Sequence, residues 1–494
     1  MPVGLLFVAA AVASLFIALA PSDTAELLSW GTCFCVFSWA AVRLRPGGDT
    51  MDPYYSLILL YGLYAWSAAG YAVWATPGTF DSATLRGYYI AIYLGLFCFV
   101  GGYLIVAQRS LGRAAIASSQ RSRDIDQRFG LLLAAVMLVC VTVVPGHLAA
   151  FDFRNVQAYT DVAASWRLDL RSDSSSGVRA YVNGLPLLYA TAALMFVSCR
   201  LRSAVVRCVM GGLLCYIIAL AVMRGEKASL LAVGLFIALF WHYRRRPIHI
   251  SHIAVPIVAL YIFAVMISHV RNTTNIIDML SAGATLVAER PEVLLPVYAG
   301  ELNGPPQTLL VVMDDIRKQR TAFLGLQHYK DEFRVWVPRA LDQDRPRPLS
   351  ERYMERFFHA EDDEGRGRGM FILTPGYWAL GFPGVAMEMT LYGMIVAAIY
   401  RRFRDALQTD AGVLVYSQCI FVLAFMAVRT GLVGTIRAAL MATVPFVPLL
   451  IVASGDVVDA RWRMLKSVEW RGRVLMLSQA NRRSRHVHAE KEGR

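Results

Sequence analysis

The chain alternates long apolar blocks with short polar connections rich in arginine. Each block runs roughly 17–25 residues, the length of α-helix that crosses the hydrocarbon core of a bilayer. None shows the strict apolar–polar alternation of a membrane strand. Lipid offers no partner to an open backbone, so every block predicts a helix. The predicted spans are 3–20, 25–42, 54–75, 86–106, 129–149, 181–199, 204–223, 228–243, 250–268, 372–400, 411–428 and 432–453. The first block has no basic stretch before it and no clear small-residue cleavage site, so it reads as a retained helix rather than a signal peptide.

Arginine placement orients these spans. Arg43 and Arg45, the run from Arg109 to Arg128, Arg200 to Arg207, Arg244 to Arg246, Arg401 to Arg404 and the tail occupy alternate connections. About twelve spans put all of them on one side, which the positive-inside rule makes cytoplasmic. Both termini are then cytoplasmic. The expected organisation is residues 1–268 with nine spans and a non-cytoplasmic loop near 150–180, a large non-cytoplasmic loop over 269–371, three more spans over 372–453, and a basic cytoplasmic tail over 454–494. A loop of that length usually carries function. It contains amphipathic stretches such as 308–318, a Pro/Arg-rich segment over 337–353, and an acidic, glycine-rich run over 360–369 that reads as a mobile tip.

Composition agrees with a membrane protein. Of 494 residues, 56% are hydrophobic and 17% charged, where a soluble domain carries about a quarter charged. The net charge of +13 would point to nucleic acid in a soluble protein. Here it sits in short loops and in the tail (Arg461, Arg463, Lys466, Arg471, Arg473, Arg482, Arg483, Arg485), where it faces anionic lipid. All eight cysteines fall in or beside apolar blocks, which argues against a disulfide framework or a cysteine metal site. His249 and His252 lack nearby carboxylates, and neither phosphate-binding glycine signature is present. No metal, cofactor or nucleotide is expected.

Cations on the non-cytoplasmic face run against the orientation rule, so each needs a reason. They are Arg154, Arg167, Arg171 and Arg179 in the first loop, Arg224 and Lys227 in the turn MRGEKASLL, Arg271 after the ninth span, Arg290, Arg334 and Arg339 in the large loop, and Arg429 and Arg437 in the last hairpin. Guanidinium groups grip phosphates bidentately and stay charged at any pH. The plainer reading is headgroup snorkelling or local ion pairing. Among the acids, Glu226 reads as a partner of Arg224 or Lys227. Glu301 sits beside glycine and proline, where a carboxylate can face a pocket. Glu388 lies inside the tenth span, a functional candidate by default with Arg437 as a partner, but its depth toward the cytoplasmic half argues against contact with chemistry on the other face.

Four segments then carry a resemblance. RGEKASLL, AGELNGPPQTLLVVMDDI, VWVPRALDQDRPRPLSERYMERFF and TPGYWALGFPGVAMEMTLYGMIVAAIYRRF resemble, in this order, the motifs of Wzy-type O-antigen (oligosaccharide repeat-unit) polymerases. The resemblance covers about 220–404 in motifs and the whole chain in topology. Two departures stand out: the family's Lys-Pro is here Arg345-Pro346 or Arg347-Pro348, and the acidic residue often found before the aromatic of the last motif is Gly376. The resemblance implies a GT-C-like all-α glycosyltransferase of the bacterial inner membrane, with the large loop periplasmic. It transfers a growing glycan from undecaprenyl diphosphate to an incoming lipid-linked repeat unit, without metal or cofactor. A flippase and a chain-length regulator are candidate partners. Departure of the diphosphate builds negative charge that fixed arginines stabilise. On this reading Glu301 and Arg339 are the catalytic candidates, and Arg154, Arg224, Lys227 and Arg271 the diphosphate-binding ones. The rivals are an O-antigen ligase or other lipid-linked glycosyltransferase, for which a loop histidine such as His328 or His359 would matter, and a polysaccharide transporter or flippase, which usually shows repeats absent here.

Overall fold

The computed structural model describes residues 23–44, 51–107, 227–244, 285–290, 300–337, 341–357, 369–406 and 410–444, with isolated positions between them. All regular structure among the described residues is helical. The helices are α1 (Asp23–Arg43), α2 (Pro53–Gly70, continued by a π turn at Tyr71–Ala75), α3 (Ser82–Ala107), α4 (Lys227–Arg244), α5 (Gly300–Arg317), α6 (Gln327–Arg334), α7 (Leu349–Phe357), α8 (Thr374–Leu380), α9 (Phe382–Ala406), α10 (Asp410–Phe421, continued by a π turn at Val422–Met426) and α11 (Ala427–Thr443). Among the described residues, Pro53–Ala75, Ser82–Ala107, Phe382–Phe403 and Gly412–Leu440 are long and apolar enough to cross a membrane. The chain is a helical membrane protein. Helices α1 and α4 match the predicted 25–42 and 228–243. The predicted spans 3–20, 129–149, 181–199, 204–223 and 250–268 lie outside the described residues, save for isolated positions.

Local chemistry sets the helix ends. Asp52 accepts the Tyr54 N–H at 3.0 Å, and Pro53 opens the first turn of α2, a carboxylate cap followed by a residue with φ already helical. The predicted single span 372–400 is divided. Gly381 adopts φ 70° and ψ −146°, a region essentially restricted to glycine, and separates the short α8 from α9. The junction between the predicted spans 411–428 and 432–453 falls at Gly431, with φ 72° and ψ 177°.

The core is built on close helix contacts. Where α3 meets α9, a Cβ added to Gly102 would stand 2.2 Å from the Thr390 carbonyl oxygen, and one on Gly393 2.2 Å from that of Phe99. Small residues let backbones approach this closely in membranes, where lipid supplies no hydrophobic drive. Buried tyrosines tie the helices polarly: Tyr61 to the Ile92 carbonyl at 2.8 Å, Tyr88 to that of Ala65 at 2.9 Å, and Tyr54 to that of Ala41 at 2.8 Å. A buried phenol needs such a partner.

The described part of the large loop packs onto this bundle. Leu302, Leu309, Leu310 and Met313 of α5 join the main core against α2 and α3, so the amphipathic stretch 308–318 buries its apolar side. Helices α7 and α8 share a smaller core with α5, made of Val312, Leu349, Tyr353, Met354, Met370 and Trp378. Helix α6 packs against α11. Loop and bundle are stitched by backbone bonds, Phe371 N–H to Pro305 O at 3.1 Å and Met370 N–H to Arg429 O at 2.8 Å. We call this the loop end of the bundle.

Candidate functional site

Helices α6, α7, α8, α9 and α11 converge at the loop end, and their polar side chains form two tiers. The upper tier is cationic. Arg352 of α7 reaches Asp331 at 3.3 Å and Glu332 at 3.6 Å, both on α6. Glu332 also accepts the Leu349 N–H at 3.0 Å and feels Arg437 of α11. Arg437 in turn lies close to Arg345. Arg345 donates to the Val335 and Val337 carbonyls at 3.2 and 2.9 Å, which pins it at the C-terminal end of α6. Arg352 and Arg437 therefore both act on Glu332, with Asp331 as the second acid and Arg345 beside Arg437. Burial raises the Glu332 carboxyl, opposed by the Leu349 amide and by Arg352 and Arg437. Arg352 Nε is buried without a hydrogen-bond partner among the described residues, and Nη2 has only the long contact to Glu332.

The lower tier is Glu388 with Tyr329. Glu388 is 2% exposed. Its carboxyl faces the Tyr329 hydroxyl and the Gly376 backbone N–H, yet Glu388 Oε2 and the Tyr329 hydroxyl both lack a partner with ordinary hydrogen-bond geometry. Burial, then the nearby Glu388 carboxyl, raises the Tyr329 phenol well above its usual range, so it is a neutral donor. Space for the carboxyl comes from glycine. A Cβ on Gly376 would lie 3.1 Å from Glu388 Cδ, and one on Gly384 2.0 Å from the Gly376 carbonyl oxygen. The α8–α9 turn is held by Leu324 and Gly325, whose N–H groups donate to the Trp378 and Ala379 carbonyls at 3.0 and 2.9 Å.

His328 lies beside this pair, 1% exposed, with Nδ1 unpartnered. Burial, then the positive Arg352, lowers it to about 4, against a smaller opposing pull from Asp331. It is neutral at physiological pH.

These positions correct the reading of Glu388. It does not sit toward the far half of a continuous span. Because α9 starts at Phe382, Glu388 is less than two turns from the loop end and under α6. Arg437 faces Glu332 and Arg345, and no contact pairs it with Glu388. Gly376 lies against the Glu388 carboxyl. Of the catalytic candidates, Glu301 is in the first turn of α5, its side chain outside the described residues, and Arg339 lies wholly outside them. Lys227 opens α4, again without a described side chain, and Arg154, Arg224 and Arg271 are outside the described residues, as is the 360–368 tip. Arg334 is a local ion pair, bidentate to Asp342 at 2.9 and 3.0 Å. The residues the sequence reading missed are Tyr329, Glu332 and Arg352. Their signal was present in the polar–apolar alternation of QHYKDEFR and LSERYMERF, two short helices that bring these side chains to one place.

At the opposite end a separate network joins the chain turns. Asp49 accepts from His242 at 2.8 Å and from Tyr243, while Tyr103 donates to Asp52 at 2.6 Å. Burial raises Asp49, but bonds from His242, Tyr243 and the Met51 amide outweigh it and leave the carboxyl below its usual range. Its partners are all satisfied within the fold, which makes it a clamp between α4 and the start of α2.

Compared with known proteins, the chain matches no family model, no curated protein and no solved structure.

Proposed function

We propose that this protein is a lipid-linked oligosaccharide polymerase with a GT-C-like bundle of about twelve spans in the bacterial inner membrane. It would move a growing glycan from undecaprenyl diphosphate to the incoming repeat unit at the periplasmic face. The observation that carries the reading is the meeting of Arg352 and Arg437 at Glu332 on the loop end, with Arg345 beside Arg437 and the buried Glu388 carboxyl close by. The leaving diphosphate gains charge as the anomeric bond breaks, and fixed guanidinium groups stabilise that charge without reorganising. The phosphate linkage supplies the activation, so no nucleotide is needed. The motif order over 220–404 adds the same direction.

The test is polymer formation in a deletion strain complemented with variants. Arg437→Ala and Arg352→Ala are expected to lose the polymer ladder, by a barrier increase of about 2–4 kcal/mol or roughly 30- to 1000-fold in rate. Arg401→Ala, exposed on α9 away from the loop end, is expected to keep it. Normal ladders from both loop-end variants at normal protein level would falsify the reading.

A ligase is the second reading, favoured by His328. It is a neutral, buried loop histidine beside Arg352 with one ring nitrogen unpartnered, a fit for accepting a proton. The acceptor separates the two. A ligase extends a lipid A core and leaves lipid-linked units at single-repeat length, whereas a polymerase lengthens them.

A further inference from the structure

The acidic side chains buried among the described residues are Glu26, Asp52 and Glu388. Glu26 takes Arg86 at 2.9 Å, and Asp52 caps α2 and receives Tyr103. Glu388 has no cation beside it among the described residues. Its carboxyl faces the Tyr329 hydroxyl, and Glu388 Oε2, that hydroxyl, Arg352 Nε and His328 Nδ1 all lack a partner with ordinary hydrogen-bond geometry among the described residues. Buried polar groups without partners are uncommon in folded proteins, and a group of them at one place needs an explanation. Together they present a carboxyl oxygen, an imidazole nitrogen, a phenol that can donate or accept, and one guanidinium donor, a set that matches the hydroxyls of a sugar ring. Four other described acids of the loop are engaged: Asp331 and Glu332 by Arg352, Asp342 by Arg334, and Asp314 by Lys318 at 2.6 Å.

We infer that Glu388, with Tyr329 facing it, is the acceptor-hydroxyl site, binding a saccharide hydroxyl and taking its proton during transfer. This rests on the polymerase reading above and assigns the acceptor to a residue pair within it. In the step, the acceptor oxygen bonds to the donor's anomeric carbon while the bond from that carbon to the diphosphate oxygen breaks. The electron pair leaves on the diphosphate toward Arg352 and Arg437. The hydroxyl proton passes to a Glu388 oxygen and leaves afterwards to water or to the released diphosphate. Tyr329 donates to the carboxylate or to the sugar and holds the hydroxyl in line. Glu388 is the catalytic residue here, and Gly376 and Gly384 make room for it.

The experiment uses the full chain in liposomes with a fluorescent undecaprenyl-diphosphate-linked repeat unit. Initial rates of lengthening and equilibrium binding of the same probe are measured side by side. Glu388→Gln is expected to lower kcat by roughly 100-fold or more, the usual scale for a lost general base, while probe affinity changes less than about 3-fold. Added formate should restore part of the rate of Glu388→Ala and leave wild type unchanged, which a merely structural role would not produce. Tyr329→Phe is expected to cost roughly 10-fold in kcat. If wild type lengthens the probe and Glu388→Gln does so at near-wild-type kcat, the assignment of Glu388 fails and the polymerase reading survives. If Glu388→Gln does not accumulate, Tyr329→Phe decides, and an unchanged kcat overturns the site. A wild-type protein that binds no lipid-diphosphate probe and lengthens none sinks the polymerase reading and this inference with it.

Discussion

His328 shows how one buried side chain sets a measurable property. Its ring is held near 4 instead of 6.5 by burial and by Arg352, so the folded state resists a proton that the unfolded chain takes up below about pH 6.5. The sign follows: this contribution to stability is complete above pH 6.5, falls as pH drops toward 4, and is flat below that. The size is about 3 kcal/mol across the window. Thermal unfolding of purified protein at pH 7 and pH 4.5 should therefore show a larger loss for wild type than for His328→Gln. Equal losses in the two would remove His328 as the cause. The same scale explains what sequence reading could and could not find. Arg437 stood out because a cation in that position needs a reason. Tyr329 and Arg352 did not, because polar residues in a loop are ordinary until folding buries them.

At the scale of elements, the glycines decide where helices meet and where they stop. The α3–α9 crossing has no room for a side chain at Gly102 or Gly393, where the facing atoms are backbone and cannot rotate away. Gly393→Val is expected to destabilise by about 3 kcal/mol or more, since overpacking against backbone leaves only helix separation as relief. Gly101→Ala, one residue along on α3 with nothing within 4 Å of its Cβ position, serves as the matched control and should be neutral. Melting temperature and the monodisperse fraction in detergent report both, and an unshifted Gly393→Val would mean the helices sit farther apart. Hydrophobicity alone could not place the break at Gly381. The residues on both sides are apolar, and only the φ of 70° separates a single long helix from the α8–α9 turn that carries Glu388 to the loop end.

For the whole molecule, the bilayer is the governing solvent, and topology is the property most directly tied to arginine placement. A reporter fused after Glu364 should read as periplasmic and one after Arg404 as cytoplasmic. Finding both on the same side would break the proposed twelve-span arrangement and the proposed periplasmic placement of the cationic tier. The packing of α5 onto α2 and α3 through Leu309, Leu310 and Met313 adds a structural reason to expect the large loop to stay against the membrane domain as one unit.

The sequence by itself determined the class of this protein, because apolar runs of bilayer length have no solution in lipid other than helices. The described helices α1 to α4 begin and end within a few residues of the predicted spans for that reason. It also marked the large loop and the excess of cations that belong to it. Only the tertiary structure decided which of those cations work together. Arg334 is taken by Asp342, eight residues away in the chain, while Arg352 and Arg437 meet at Glu332 from separate segments, with Arg345 beside Arg437. Such a convergence depends on how α6, α7 and α11 pack, a set of long-range contacts that no local spacing records. Glu388 is the sharpest case. Its carboxylate was visible in the sequence, but its neighbours are fixed by a glycine turn and by a loop helix more than fifty residues earlier in the chain.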